Sequence, residues 1–161
     1  MEIEEFPGYA VSNHGRVMNT QTELIKTPSP NQQGIPSILF TKGGQQYRRA
    51  LPLLVANYFV PRRAAHFDTP INIDGNRTNN HWQNLDWRPR WFAHIYHAQF
   101  HKPAPFGFKA AVYCVETRDN FADVFHAARA YGLLVREIII STHTQAPVFP
   151  TWQTFGVLTG E

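Results

Sequence analysis

The sequence predicts an α+β chain assembled from several small modules, and three observations carry that expectation. Short β-like runs joined by glycine-rich turns occupy residues 1–62. A polar, turn-forming loop around Asp74-Gly75-Asn76 then leads into an aromatic, histidine-rich stretch that reads as a helix. Beyond residue 109, a short strand precedes two apolar-periodic segments separated by Gly132, a helix-turn-helix pattern whose plainer alternative is an ordinary αα corner.

Each element has a local reason. Residues 38–41 lead into Lys42-Gly43-Gly44-Gln45, a hairpin turn, and on to residues 46–51. Residues 51–60 are strongly apolar and read as a buried helix stopped by Pro61. At Asp74-Gly75-Asn76, Gly and Asn tolerate positive φ, and Asn79 and Asn80 extend the loop. Residues 90–100 form the next predicted helix, and Pro103 and Pro105 mark a linker. Residues 111–116 read as a strand. Phe121, Val124, Phe125, Ala128 and Tyr131 fall at helical spacing, Gly132 ends that helix, and residues 133–141 begin another. The implied modules are residues 1–62, 63–102 and 109–161, with a linker at 103–108.

Composition narrows the function classes. With 43% apolar and 17% charged residues the chain should fold. No run approaches the roughly 18 apolar residues of a membrane span, and no signal peptide is visible at residues 1–9. A lone cysteine, Cys114, excludes an internal disulfide and a thiolate metal cluster. These features fit a cytoplasmic protein with no membrane partner. The net charge of +3 is unevenly spread: residues 1–41 carry −2, residues 42–102 carry +6 and residues 103–161 carry −1. The basic middle also holds Trp82, Trp87, Trp91 and five histidines, the footprint expected of a nucleic-acid surface; a solvated basic face is the plainer alternative. Arg62, Arg63, Arg77, Arg88 and Arg90 are the candidate phosphate contacts.

Three stretches together resemble the phage and intron HNH homing endonucleases. Phe6-Pro7-Gly8-Tyr9-Ala10-Val11-Ser12-Asn13-His14-Gly15-Arg16-Val17, with Leu54-Val55-Ala56-Asn57-Tyr58-Phe59 downstream, is similar to their amino-terminal nuclease-associated module. Ile73-Asp74-Gly75-Asn76-Arg77-Thr78-Asn79-Asn80, then Gln83-Asn84-Leu85-Asp86-Trp87, resembles the core of the HNH motif. Val112-Tyr113-Cys114-Val115-Glu116-Thr117, then Phe121 and Ala127-Ala128-Arg129-Ala130-Tyr131-Gly132-Leu133, is similar to their carboxy-terminal helix-turn-helix module. The resemblance implies a ββα-metal core in which two strands and a helix grip one divalent metal, usually Mg²⁺. There a histidine deprotonates the attacking water and an asparagine orients that histidine.

This chain departs from that pattern where the chemistry sits. The positions of a metal ligand and the general base hold Ile71 and Asn72, and neither can act as a base; with one residue deleted, Asn72 would be the ligand and the histidine would be missing. Asn84 stands where the orienting asparagine should be. The last metal position falls on Ala93 in a gapless reading, or on His94 if one residue is inserted at 88–90, the reading we prefer. His66 and His81 are close enough in sequence to be weighed as substitutes. Pro52 and Leu53 replace a histidine often found before the Leu-Val-Ala helix. The second carboxy-terminal helix is apolar: only Arg136 could readily reach a base edge, and Glu137 opposes phosphate. Leu134, Ile138 and Ile139 are therefore either an exposed protein-interaction stripe or simply core.

The expectation is a catalytically degenerate, phage-encoded HNH-type protein, DNA-binding or nucleoprotein-associated, that holds nucleic acid through its basic middle. It would have no cofactor, and would work in the infected host cell or with the virion. Two alternatives stand beside it: a protein-interaction or structural subunit of a virion or phage machine, and an active nuclease with a rearranged site that would need Mg²⁺.

Overall fold

In the computed structural model, which describes residues 1–160, the Gly43-Gly44 turn closes a hairpin between β5 (Pro36–Lys42) and β6 (Gln45–Ala50). Both glycines have positive φ, 58° and 76°, the two-residue geometry that matches the twist of the flanking strands. Ile38 and Phe40 of β5 point into the core while Leu39 and Thr41 are exposed, the period-two pattern of a half-buried strand. The chain falls into two units, residues 1–72 with 76–90, and residues 73–75 with 91 onward.

In the first unit, β1 (Tyr9–Val11), β2 (Val17–Asn19) and β3 (Ile25–Lys26) form one antiparallel sheet. A second sheet joins β4 (Ser29–Pro30) to β5 and β6. Phe6 stacks on Phe40 at 4.3 Å. Helix α1 (Leu51–Phe59) takes Pro52 in its first turn, where a missing N–H costs nothing. It buries Leu51, Leu54 and Val55 and ends one residue earlier than its apolar run suggested. β7 (Thr69–Asn72) pairs antiparallel with β8 (Leu85–Arg88), the loop between them closing with a 3₁₀ turn at Trp82–Asn84.

The second unit contains nearly all of α2 (Arg90–Gln99), whose helical reading is borne out. Tyr96 is fully buried, and its hydroxyl donates to the carbonyls of Ile73 and Ala128. The stretch at 103–108 carries a 3₁₀ turn, Pro105–Gly107, and Ala104 and Phe108 pack against the unit's core. β9 (Val112–Cys114) lies between β10 (Asn120–Phe121) and β11 (Phe155–Val157). The helix expected over 121–131 is shorter: α3 is Val124–Tyr131, because Phe121 pairs with Val112 in the sheet and Asp123 caps the helix. Likewise α4 runs Val135–Thr144, not from 133, since Gly132 takes left-handed φ (66°) and Leu134 is extended.

One correction bears on function. Ile138 is 0% exposed, Ile139 3% and Leu134 7%. Ile138 and Ile139 belong to the core formed with Val112, Val124 and Phe155, so the apolar stripe of α4 is core and not an interaction surface. No helix among the described residues is long and apolar enough to cross a membrane.

Candidate nuclease-like site and nucleic-acid interface

The β7–β8 pair and its loop occupy the positions at which the sequence suggested chemistry. Strand β7 ends on Ile71 and Asn72, both buried. Ile71 is in the core at 0% exposure and brings no donor atom. The Asn72 amide donates to the Asn79 carbonyl at 2.9 Å and to Asn80 Oδ1 at 3.0 Å. The Asn84 amide donates to the same Asn79 carbonyl at 2.8 Å. Two of the sequence-derived site residues are thus brought together, as a structural clamp on one backbone oxygen.

Asn80, which the sequence marked only as loop, is central to that clamp. It is 4% exposed and its own amide donates to the Arg77 carbonyl at 3.1 Å. The loop is buttressed by the 12–15 turn: Trp82 N–H donates to the Asn13 carbonyl at 2.8 Å. A Cβ on Gly15 would lie 3.0 Å from the Asn80 carbonyl. His81 accepts from the Gln83 N–H and lies edge-on to His14, so it caps the 3₁₀ turn. His66 is exposed and edge-on to Phe67. In the second unit, His94 is exposed and Ala93 buried on α2.

The resemblance implies a divalent metal, and the donor set can be tested against it. Ile71 has no side-chain donor, Asn72 spends its nitrogen on two acceptors and could offer only one neutral oxygen, and no three His, Cys, Asp or Glu among the described residues come together to hold an ion. A Mg²⁺ centre favours several hard oxygen ligands, and these residues do not fit one.

The candidate arginines separate by environment. Arg62, Arg63 and Arg90 are exposed and Arg77 is half-buried, reaching the Gln33 carbonyl at 3.3 Å. Arg62 lies over the Trp87 ring at 4.1 Å, beside a groove also lined by Asn57 and Tyr58. Arg88 is a correction: it is 1% exposed, ion-paired with Asp86 at 2.6 Å, and donates to the Trp87 carbonyl. Both faces of β8 are covered at its end, Trp87 on one and Arg88 on the other, so Arg88 holds the strand and is not presented to a phosphate.

A two-stranded sheet with an intervening loop, a helix after it, a β-rich module before it and a helical pair behind it defines a protein with the fold of the HNH homing endonucleases. Over its whole length the chain superposes on the HNH homing endonuclease I-HmuI, covering 98% of that chain with a TM-score of 0.52 at 18% identity; that structure is described as showing DNA binding and cleavage by I-HmuI. In sequence it is 28% identical over 86 residues, 53% of its length, to a protein of Acanthamoeba polyphaga mimivirus named uncharacterized HNH endonuclease L247. The chain spans 22% of that mimivirus protein. No protein-family model matches it. The resemblance to HNH endonucleases read from the sequence is borne out by these two likenesses.

Proposed function

We propose that this chain is an HNH homing-endonuclease scaffold that binds DNA without cutting it. The observation that carries the reading is the state of Asn72. At the position of the general base stands a buried amide whose hydrogens serve the Asn79 carbonyl and Asn80. An amide does not titrate near neutral pH, and its neighbour Ile71 is core. Of the candidate arginines, Arg62, Arg63 and Arg90 stay exposed for nucleic acid, and Arg77 is half-buried with its guanidinium on the Gln33 carbonyl. Burial of Leu134, Ile138 and Ile139 removes the support for a protein-interaction role through α4. The viral source of the mimivirus relative supports a viral setting, in an infected cell or a virion.

The test is plasmid nicking and duplex binding by the purified chain. Loss of a general base typically costs about 10²–10⁴ in rate, so nicking with Mg²⁺ or Mn²⁺ should be at background. Binding to two unrelated duplexes should be equal and salt-sensitive, with log K falling by about 0.9 per phosphate contact and a total slope of roughly −3 to −4 for three or four arginines. Robust nicking abolished by His94→Ala would overturn the non-cutting reading and establish an active rearranged site. Absence of duplex binding at low salt would overturn the DNA-binding one.

A further inference from the structure

In the first unit, Trp87 carries one side chain of the basic segment on its ring. Trp87 is 1% exposed, and the Arg62 guanidinium carbon sits 4.1 Å from the ring centroid, well inside the roughly 6 Å over which a cation is attracted to an aromatic face. The ring is itself held. Trp87 lies on β8, and its indole N–H donates to the Val60 carbonyl at 2.9 Å. That bond ties the ring to the chain two residues before Arg62, and Pro61 between them has its φ fixed by its own ring. The platform and the side chain lying on it are therefore placed by one short segment.

Two further features restrain the guanidinium. Asn57 Oδ1, in the last turn of α1, stands 3.5 Å from Arg62 Nη2, at the outer limit of a hydrogen bond. Arg62 also follows the carboxy-terminal end of α1, whose partial negative charge favours a cation. Arg62 is the one charged side chain lining the groove beside it, so no carboxylate there competes for its donors. Other arginines differ. Arg49 also lies over aromatic rings, those of Phe6 and Tyr47, but its donors are taken by Glu5. Arg63 and Arg90 are exposed, and their guanidinium groups have no ring, ion-pair or hydrogen-bond partner among the described residues. Arg62 combines a held guanidinium with donors left for a ligand.

The geometry points to Trp87 as a positioning residue of the DNA-binding surface, one that holds the Arg62 fork ready for a single phosphodiester group of a duplex. An arginine gives up rotamer freedom when it grips a phosphate. At Arg62 part of that freedom is lost on folding, so less is lost on binding. A planar fork can meet two phosphate oxygens in parallel, whereas a lysine brings a point charge on a flexible stem. Arginine and lysine are therefore least interchangeable at residue 62, where the fork has a ring beneath it. This rests on the DNA-binding reading for the identity of the ligand; the placing of Arg62 by Trp87 is a property of the unbound chain.

The experiment is fluorescence anisotropy of the full chain with one labelled duplex across a salt series, with Tm measured for each variant. Arg62→Lys keeps the charge, so the salt slope should stay while affinity falls by about two- to tenfold, the worth of one side chain ordered in advance. That fall should exceed the one caused by Arg63→Lys, where no ring lies beneath the guanidinium. Trp87→Phe keeps a buried ring but gives up the bond to Val60 and part of the cation's attraction; it should weaken the duplex by a similar factor. Made in the Arg62→Lys chain, the same change should bring no further loss of affinity, although Tm falls equally in both backgrounds. Such non-additivity marks a residue that acts through Arg62; a merely structural Trp87 would weaken binding equally in both. Should Trp87→Phe fail to fold, the comparison of Arg62→Lys with Arg63→Lys decides by itself. Equal losses in those two variants, or a Trp87→Phe loss that adds in full to that of Arg62→Lys, overturn the positioning and leave the DNA-binding reading standing. A wild-type chain that does not bind the duplex at low salt overturns both.

Discussion

The Asn72 carboxamide lies where one extra oxygen would be most harmful. Its nitrogen faces two acceptors, the Asn79 carbonyl and Asn80 Oδ1. Asn72→Ala removes both bonds and should cost about 1–3 kcal/mol in urea denaturation, the range for leaving buried partners unsatisfied. Asn72→Asp should be worse at neutral pH, because it points a carboxylate at two oxygens in a buried site. Burial and those oxygens would raise the folded-state pKa of the new acid, and only its protonated form could donate. The extra destabilisation should therefore shrink as pH falls towards the ordinary carboxylate range, measured as the Tm gap from Asn72→Ala. A gap that does not change with pH would show that the amide does not face those acceptors. Ile71→Asp meets the same obstacle more severely, because residue 71 is fully buried in the core.

At the scale of elements, the carboxy-terminal helices show how caps set boundaries that apolar spacing leaves open. Asp123 accepts from the His126 N–H and from its ring, both at 2.9 Å. Burial pushes the Asp123 carboxyl up, and the His126 bonds outweigh it, so the group sits below its ordinary value. With a depressed folded-state pKa, its contribution is present above the unfolded value and is lost as pH falls through the folded one. Asp123→Ala should cost about 1 kcal/mol, the usual worth of such a cap, and the charge-dependent part of that loss should disappear in strong acid; a pH-independent loss would deny the charge a role. For α4 the cap comes from another helix: Gln99 donates to the Leu133 carbonyl at 3.1 Å and accepts from Val135 N–H at 2.8 Å. Gln99→Ala should destabilise by about 1–3 kcal/mol, and Gly132→Ala by roughly 1 kcal/mol through its left-handed φ. Gly132 was visible in the sequence as punctuation, whereas Asp123 was hidden by the helical spacing that ran on to Phe121. Gln99 was hidden too, since nothing local ties it to a helix start 36 residues away.

For the molecule as a whole, the +6 excess of residues 42–102 is a property of sequence, but only part of it faces water. Arg88 is internal and paired with Asp86, and Arg49 forms a two-pronged surface pair with Glu5 that holds the carboxyl below its usual range. Arg88→Met should therefore lower stability, by about 1–3 kcal/mol for a lost charged hydrogen-bond partner, and leave the salt dependence of DNA binding unchanged. Arg62→Ala and Arg63→Ala should each reduce the slope by about one unit and weaken all sequences alike. A slope unchanged by both, with one lost in Arg88→Met, would reverse this assignment.

What the sequence determined by itself is what depends on near neighbours. The Gly43-Gly44 hairpin, the apolar run of α1 stopped before Pro61, α2 and the turn at Gly132 all follow from local periodicity and residues suited to positive φ. The departure of Ile71 and Asn72 from the pattern the resemblance implies was equally legible, because once the resemblance is drawn it needs only residue identity. The tertiary structure decided what depends on distant partners. It placed Phe155–Val157 beside Val112–Cys114, a strand too short to announce itself. It turned Arg88 inward, assigned Leu134, Ile138 and Ile139 to the core, and joined Asn72 and Asn84 on one carbonyl. Composition states how much charge and apolar surface a chain carries; which of it meets water depends on contacts between residues far apart in sequence, and those exist only in the folded state.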